Sequence, residues 1–128
     1  MKMKEEVNVV KKWIEKAERD LDNSEFNFNH ERYEEACFFA QQSAEKILKA
    51  LDIQKSGNFV KSHDLVFLAK QVNASVDIIV RCRKLKPVYT ESRYPDFLDV
   101  SPYTKEKSVE IVNDAKEILK WARKQLKN

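Results

Sequence analysis

The chain has 128 residues, 42% of them hydrophobic and 35% charged, which is enough for one domain with its own core. One glycine and three prolines are too few for the turns that hairpins and sheets require, so the composition predicts an all-α protein formed by a single domain, residues 1–128. The formal net charge of +3, from 24 basic and 21 acidic residues, lacks the excess of a dedicated nucleic-acid binder.

Apolar residues at helical spacing predict two long helices in the first half of the chain. The first is expected from about Glu6 to Asn29, with a cationic face formed by Lys11, Lys12, Lys16 and Arg19. The second carries the clearest stripe, at Tyr33, Ala36, Cys37, Ala40, Ala44, Ile47, Leu48 and Leu51. Phe38 and Phe39 widen this stripe, which predicts a central helix covered on more than one side.

Capping residues and a proline predict two shorter helices next. Ser62 is a predicted N-cap of the third helix. The fourth is expected from near Asn73, with an apolar face of Val76, Ile79, Val80 and Leu85. Pro87 disfavours helical geometry in the preceding residue and lacks a backbone donor, so it predicts a kink or a fresh start.

A loop and a long helix complete the predicted architecture. Pro95 and Pro102 predict a structured loop from Tyr94 to Tyr103. Thr104 is the predicted N-cap of a last helix, whose buried face is expected to contain Val112, Ala115, Leu119, Ala122 and Leu126.

The two cysteines and the lack of a long apolar run bear on location. Cys37 and Cys82 have neither the spacing of metal ligands nor that of a redox pair, so we expect buried thiols in a reducing compartment. No apolar run is long enough for a membrane span or the core of a signal peptide. The sequence therefore predicts a cytoplasmic protein without a metal or cofactor.

Four polar residues of the second helix form a candidate site. Gln41 lies one turn before Glu45, and Gln42 lies one turn before Lys46, so both pairs can interact. These residues could line a cleft for a ligand. The alternative is a polar seam of the bundle, or a dimer interface, that fixes register.

A second candidate group surrounds Arg93. The guanidinium group suits a phosphate and a carboxylate equally well, so Arg93 is predicted to bind a ligand or to pair with Asp96 or Glu45. Tyr89 and Tyr94 could stack on a base, or pack in the core and loop.

His63 is a weaker candidate. It precedes Asp64, but adjacent residues on a helix point in different directions, so the two do not form an acid–base pair with each other. Capping and packing at the helix start are the alternative role.

Four motifs follow one another along nearly the whole chain. They are Ala-x-x-Asp-Leu at residues 17–21 after a tryptophan, Cys-Phe-x-x-Gln-Gln-x-Ala-Glu-Lys at 37–46, Ser-His-Asp-Leu at 62–65 and Ser-Arg-Tyr-Pro-Asp at 92–96. This set resembles the HEPN domain, named for higher eukaryotes and prokaryotes nucleotide-binding. The resemblance implies an up-and-down bundle of about five helices, commonly a homodimer. It also implies a family of nucleotide-binding modules, partners of minimal nucleotidyltransferases and ribonuclease toxins.

The ribonuclease members of that family carry an arginine four to six residues before a histidine, so that both groups reach one phosphodiester. Neither His30 nor His63 follows an arginine at that spacing, and no histidine follows Arg93. We therefore expect a non-catalytic module that binds a nucleotide such as ATP or GTP, or that pairs with a nucleotidyltransferase in a toxin–antitoxin-type system. A divergent ribonuclease acting on RNA and a purely protein-interacting homodimer are the alternatives.

Overall fold

A computed structural model describes residues 4–58, 61–94 and 103–127. The helices in these ranges are α1 (Lys4–Asn29), α2 (Tyr33–Ser56), α3 (Leu65–Gln71), α4 (Val76–Leu85), α5 (Val88–Arg93) and α6 (Lys105–Leu126). No strand occurs within the described ranges, and the prediction of an all-α helical bundle is confirmed. Most of the predicted loop before α6, including Asp96, lies outside the described residues.

The first two helices form an antiparallel pair. A three-residue connection, in which Glu31 has φ 62°, separates them. The Ser24 hydroxyl donates to the Ala36 carbonyl at 2.6 Å, and the Ser43 hydroxyl donates to the Ala17 carbonyl at 2.7 Å. A residue later in α2 therefore contacts a residue earlier in α1, as expected for antiparallel helices. Both hydroxyls are buried, so each satisfies a polar group that burial would otherwise leave unpaired.

Helix α2 is the centre of the bundle, because it contacts every other described helix. Its small residues Ala36, Ala40 and Ala44 are fully buried, as are the larger Ile47 and Leu48. The expected central position of this helix is confirmed. Phe38 and Phe39, however, are only half-buried, so the neighbouring helices cover less of the α2 surface at these two residues than predicted.

Both cysteines are buried free thiols, as expected. Burial is the main cause that raises the pKa of Cys37 to about 11 and that of Cys82 to about 12. Both thiols are therefore protonated at neutral pH, and they pack as small apolar groups.

The predicted cap of α3 was wrong by two residues. The Asp64 carboxylate accepts from the backbone N–H groups of Val66 and Phe67 at 3.0 and 3.2 Å, which makes Asp64 the N-cap. The Ser62 hydroxyl instead accepts from the N–H of Asp64 at 3.1 Å. The serine therefore fixes the turn that presents the capping carboxylate.

The predicted apolar face of α4 was wrong in part, because Leu85 is buried and Ile79 packs against the core as expected, whereas Val76 and Val80 are exposed. The helix begins at Val76 after the N-cap Ser75, and its buried face is Ile78, Cys82 and Leu85. Val76 is 78% exposed and Val80 is 42% exposed. The prediction failed because apolar residues occupy nearly the whole first turn, so that two faces fit the period of a helix.

The fresh start predicted at Pro87 and the N-cap predicted at Thr104 are confirmed, but Lys86 keeps helical geometry, with φ −52° and ψ −46°, which the proline was expected to disfavour. Helix α4 ends at Leu85, and α5 begins directly after Pro87. The Thr104 hydroxyl accepts from the N–H of Lys107 at 3.2 Å at the start of α6.

The capping arrangement predicts that Asp64→Ala destabilises the protein by about 1 kcal/mol, because two N–H groups lose their acceptor. Asp64 also pairs with Lys86 at 3.1 Å, and Asp64→Asn is the matched control that keeps a capping oxygen but removes this charge. Urea denaturation should place Asp64→Asn closer to the wild type than Asp64→Ala. Equal losses in the two variants would assign the effect to the ion pair.

Candidate functional site

One face of α2, called the α2 face below, carries five polar residues after an aromatic one. The aromatic residue is Phe38, and the polar residues are Gln41, Gln42, Glu45, Lys46 and Lys49. These residues recur at spacings of three and four, so they share one side of the helix and extend over about 16 Å. Gln41 is fully buried, and Glu45 and Lys49 are nearly so. Polar groups at such depth must find hydrogen-bond partners, and the structure supplies them from α2 itself, from Asp20 on α1 and from His63 before α3.

The Glu45 carboxylate is the centre of this network. It accepts from the Gln41 amide at 3.1 Å, from the Lys49 ammonium at 2.8 Å and from His63 Nδ1 at 2.9 Å. Burial raises the pKa of Glu45, but the hydrogen bonds from Lys49, Gln41 and His63 together outweigh burial, so the pKa lies below its ordinary value. Glu45 is therefore a carboxylate at neutral pH.

Between this carboxylate and the solvent, the side chains of His63, Tyr89 and Arg93 contact one another in sequence, and we call them the arginine–aromatic column. The His63 ring stacks on Tyr89 with 4.3 Å between centroids and 14° between planes. The Arg93 guanidinium carbon lies 4.4 Å from the centroid of the Tyr89 ring and 5.2 Å from that of Phe38. Tyr89 and Arg93 are one turn apart on α5, which places both against the same neighbours.

Arg93 is exposed, and the predicted pair with Asp96 lies outside the described residues. The predicted pair with Glu45 does not form, because the oxygens of that carboxylate are occupied by Gln41, Lys49 and His63. Within the described residues, no carboxylate lies within 4 Å of Arg93. The rings contact the guanidinium group through its faces, and these contacts do not use its N–H donors, which lie in the guanidinium plane.

On the other side of α2, the network continues to α1. The Gln42 amide donates to Gln41 at 2.6 Å, and Lys46 donates to Gln42 at 3.3 Å. Lys46 also contacts the buried Asp20 carboxylate at 2.7 Å, and Lys16 reaches the second oxygen of Asp20 at 3.1 Å. Both one-turn pairs predicted from the sequence are therefore formed, and they belong to one continuous network.

The structure thus brings together most of the residues predicted as site candidates, namely Gln41, Gln42, Glu45, Lys46, His63, Tyr89 and Arg93. Tyr94 is 52% exposed and lies beside Arg93 in sequence, and Asp96 is outside the described residues. The sequence analysis missed the parts played by Asp20, Phe38 and Lys49. Lys49 follows Glu45 by one turn, a spacing that could have indicated it.

A second buried carboxylate, Asp114 on α6, has a different environment. Arg81 contacts it at 2.9 Å and Lys84 at 3.2 Å, which ties α4 to α6. Burial is the largest effect on the Asp114 pKa and raises it above the ordinary value despite both cations. No aromatic or histidine side chain joins this cluster in the described part of the chain, so we interpret it as a structural contact.

The described residues contain no group of three or more His, Cys, Asp and Glu side chains placed to hold a metal ion. Within the same ranges, no helix is long and apolar enough to cross a membrane. The side chains of the α2 face offer cations for an anion, aromatic rings for stacking, and the imidazole of His63 for proton transfer.

The two buried carboxylates should respond differently to neutral isosteres at pH 7. Glu45→Gln removes the carboxylate that the buried Lys49 contacts and should cost about 3 kcal/mol. Asp114→Asn should cost less than about 1 kcal/mol, because its environment disfavours the charged form and both cations reach solvent. Urea denaturation of both variants measures the difference, and equal losses would contradict it.

The sign of the pH dependence follows from the same pKa directions. The lowered pKa of Glu45 gives stability that is present above about pH 4.3 and is lost as the pH falls through the folded-state pKa. The raised pKa of Asp114 gives stability that is present below about pH 3.9 and is lost as the pH rises through its folded-state pKa. The cost of Glu45→Gln should therefore shrink in acid, whereas that of Asp114→Asn should not.

Comparisons with known proteins agree with this architecture. A family model described as "HEPN domain" matches residues 10–125. The crystal structure of TT1696 from Thermus thermophilus superposes with a TM-score of 0.83 at 27% identity, covering 91% of this chain and 97% of that one. The crystal structure of ST0689, described as an archaeal HEPN homologue, gives 0.78 at 38% identity, covering 91% and 96%. No curated protein matches significantly. Because the family model spans most of the sequence, the chain belongs to the HEPN domain family.

Proposed function

We propose that this chain is a non-catalytic HEPN module that binds a nucleotide at the α2 face, with Arg93 holding the phosphate. The observation that carries the proposal is an exposed guanidinium group, positioned by Tyr89 and Phe38 and lacking a carboxylate within 4 Å in the described residues. A guanidinium group held by its faces keeps its planar fork of donors for a phosphate.

The base would lie beside the same column. Tyr89 already contacts His63 and Arg93 through its ring, so the rings better placed for a base are His63 and Tyr94. The side chain of His63 is 52% exposed, and Tyr94 follows Arg93 directly. Stacking on such rings tolerates any base, so this arrangement favours nucleotides in general over one particular base.

The proposal includes two partnerships that the family resemblance implies. One is a homodimer, and the other is a minimal nucleotidyltransferase, whose nucleotide substrate has the chemistry that this face would hold. The near balance of charge favours a nucleotide over RNA as the ligand.

A thermal-shift titration with ATP, GTP and inorganic phosphate tests the nucleotide site. A ligand that binds only the native state stabilises it by about 2.7 kcal/mol at 100 times its Kd, which raises the Tm by several degrees. Arg93→Ala should abolish the shift. Arg83→Ala is the matched control, because Arg83 is an exposed arginine on the neighbouring helix α4 and should leave the shift unchanged. An undiminished shift in a folded Arg93→Ala protein would remove Arg93 from the site.

A divergent ribonuclease is the second candidate, and the Glu45–His63 contact is the observation that favours it. The carboxylate binds Nδ1, which orients the imidazole and leaves Nε2 as the nitrogen for proton transfer, near an arginine that could hold the phosphate. The family's ribonuclease spacing is nevertheless missing from the sequence.

We expect purified protein to leave single-stranded RNA intact across pH 5 to 8. Cleavage that disappears in both His63→Asn and Arg93→Ala, but persists in Arg83→Ala, would favour the ribonuclease over the non-catalytic module. Cleavage that persists equally in all three variants would indicate a contaminating nuclease.

A further inference from the structure

A cavity of about 170 Å³ opens between the last turns of α1 and the first half of α6. The apolar part of its lining is Phe28 from α1 with Val109 and Val112 from α6. The two valines are three residues apart and so share one face of their helix, and Val109 is 40% exposed. Pockets for drug-sized ligands measure roughly 300 to 1,000 Å³, so this cavity suits a smaller molecule than a nucleotide.

Two opposite charges, Glu25 and Lys116, also line the cavity, and they are only loosely paired. Their nearest nitrogen and oxygen are 3.7 Å apart, which is too long for a hydrogen bond. Two turns away along both helices, Glu18 and Arg123 form the equivalent pair at 2.9 Å. The side chains are equally exposed, at 43% and 46% in the loose pair and 46% and 42% in the tight one. Exposure therefore does not explain the difference, whereas the cavity adjoins the loose pair.

Two carboxamides, those of Asn29 and Asn113, complete the lining. Neither makes a side-chain hydrogen bond to another described residue, whereas Asn27 on the same helix α1 donates to the carbonyl of Asn23 at 2.8 Å. A carboxamide has both donors and an acceptor, so each can bind a carboxylate or an ammonium group. The cavity thus offers hydrogen bonds to either charge of a ligand.

The simplest account is a space between two helices that holds water, with a surface ion pair of little energetic value at its edge. The lining is nevertheless selective. A lone anion would be repelled by Glu25, and a lone cation would be repelled by Lys116. A small molecule with adjacent charges of both signs and an apolar group would match the charged, polar and apolar parts of the lining together.

We propose that this cavity binds a free α-amino acid with an apolar side chain. Its ammonium group pairs with Glu25 and its carboxylate with Lys116, so that the four charges alternate in sign. Its side chain contacts the apolar part of the lining, and the carboxamides of Asn29 and Asn113 supply further hydrogen bonds. The lining belongs to α1 and α6, whereas Arg93 lies on α5, so the site does not depend on the function proposed above.

Correlation spectra of ¹⁵N-labelled protein report directly on this site, because Asn29 and Asn113 each contribute side-chain NH₂ signals. The titrations use L-leucine, N-acetyl-L-leucine, which lacks the ammonium group, L-leucinamide, which lacks the carboxylate, and glycine, which lacks the side chain. We expect leucine to shift the two NH₂ signals saturably. Each of the other compounds should bind about fivefold more weakly or worse, because it loses one of the three contacts.

Two glutamates at equivalent positions of α1 provide the variant and its control. Glu25→Gln should weaken leucine binding about fivefold, because the ligand ammonium loses its partner. Glu18→Gln is the matched control, since Glu18 is equally exposed, also pairs with α6 and does not line the cavity, so it should leave binding unchanged.

Each outcome supports or overturns the proposal. The absence of saturable shifts with leucine, or equal binding in Glu25→Gln and Glu18→Gln, overturns the site. Equal binding of leucine and both blocked compounds overturns recognition of the charges, and equal binding of leucine and glycine overturns the apolar contact. Arg93→Ala should retain the leucine shifts, so failure of the nucleotide site and failure of this site are distinguishable.

Discussion

The rest of the α2 face depends on the buried carboxylate of Glu45. A charge removed from water must be surrounded by donors, and Glu45 obtains them from an amide and an ammonium group on its own helix and from His63, which precedes α3. The contact orients His63, whose ring stacks on Tyr89, and Tyr89 in turn lies against Arg93. The position of an exposed arginine is thus traceable, contact by contact, to a charge in the interior.

The same carboxylate also determines what Arg93 does not bind. If one oxygen of Glu45 lacked a donor, the arginine would be the obvious cation to pair with it. Because the carboxylate is already satisfied, Arg93 is held by aromatic faces, which are worth about 0.5 to 2 kcal/mol, and no carboxylate of the described residues lies within 4 Å of its N–H edge. A salt bridge between Arg93 and Glu45 would have occupied the N–H donors of the guanidinium group.

Local patterns predicted the helices and the contacts within them, but they did not predict where separate segments meet. The apolar stripe of α2 and the one-turn pairs Gln41–Glu45 and Gln42–Lys46 follow from helical spacing alone. Helical spacing could not predict the buried face of α4 or the contact between His63 and Glu45. The buried face of α4 was ambiguous because its apolar residues fit two faces of a helix, and only the packing of α4 on the bundle selects one. The contact of His63 with Glu45 joins two segments that are separate in sequence. No spacing rule describes such a contact.

A network of this kind is a poor means of gaining stability. Replacing buried ion pairs by apolar groups of similar volume is often neutral or stabilising, so a central helix lined by leucine would hold the bundle at least as firmly. What an apolar seam would not do is fix the positions of charged groups at the surface. The α2 network does so at both of its borders, at His63 and Arg93 on one side and at Lys16 and Lys46 on the other. We therefore infer that its effect lies in positioning cations for an anionic ligand, and that the α4–α6 cluster at Asp114, which positions no ring, is the contrasting case of a purely structural pair.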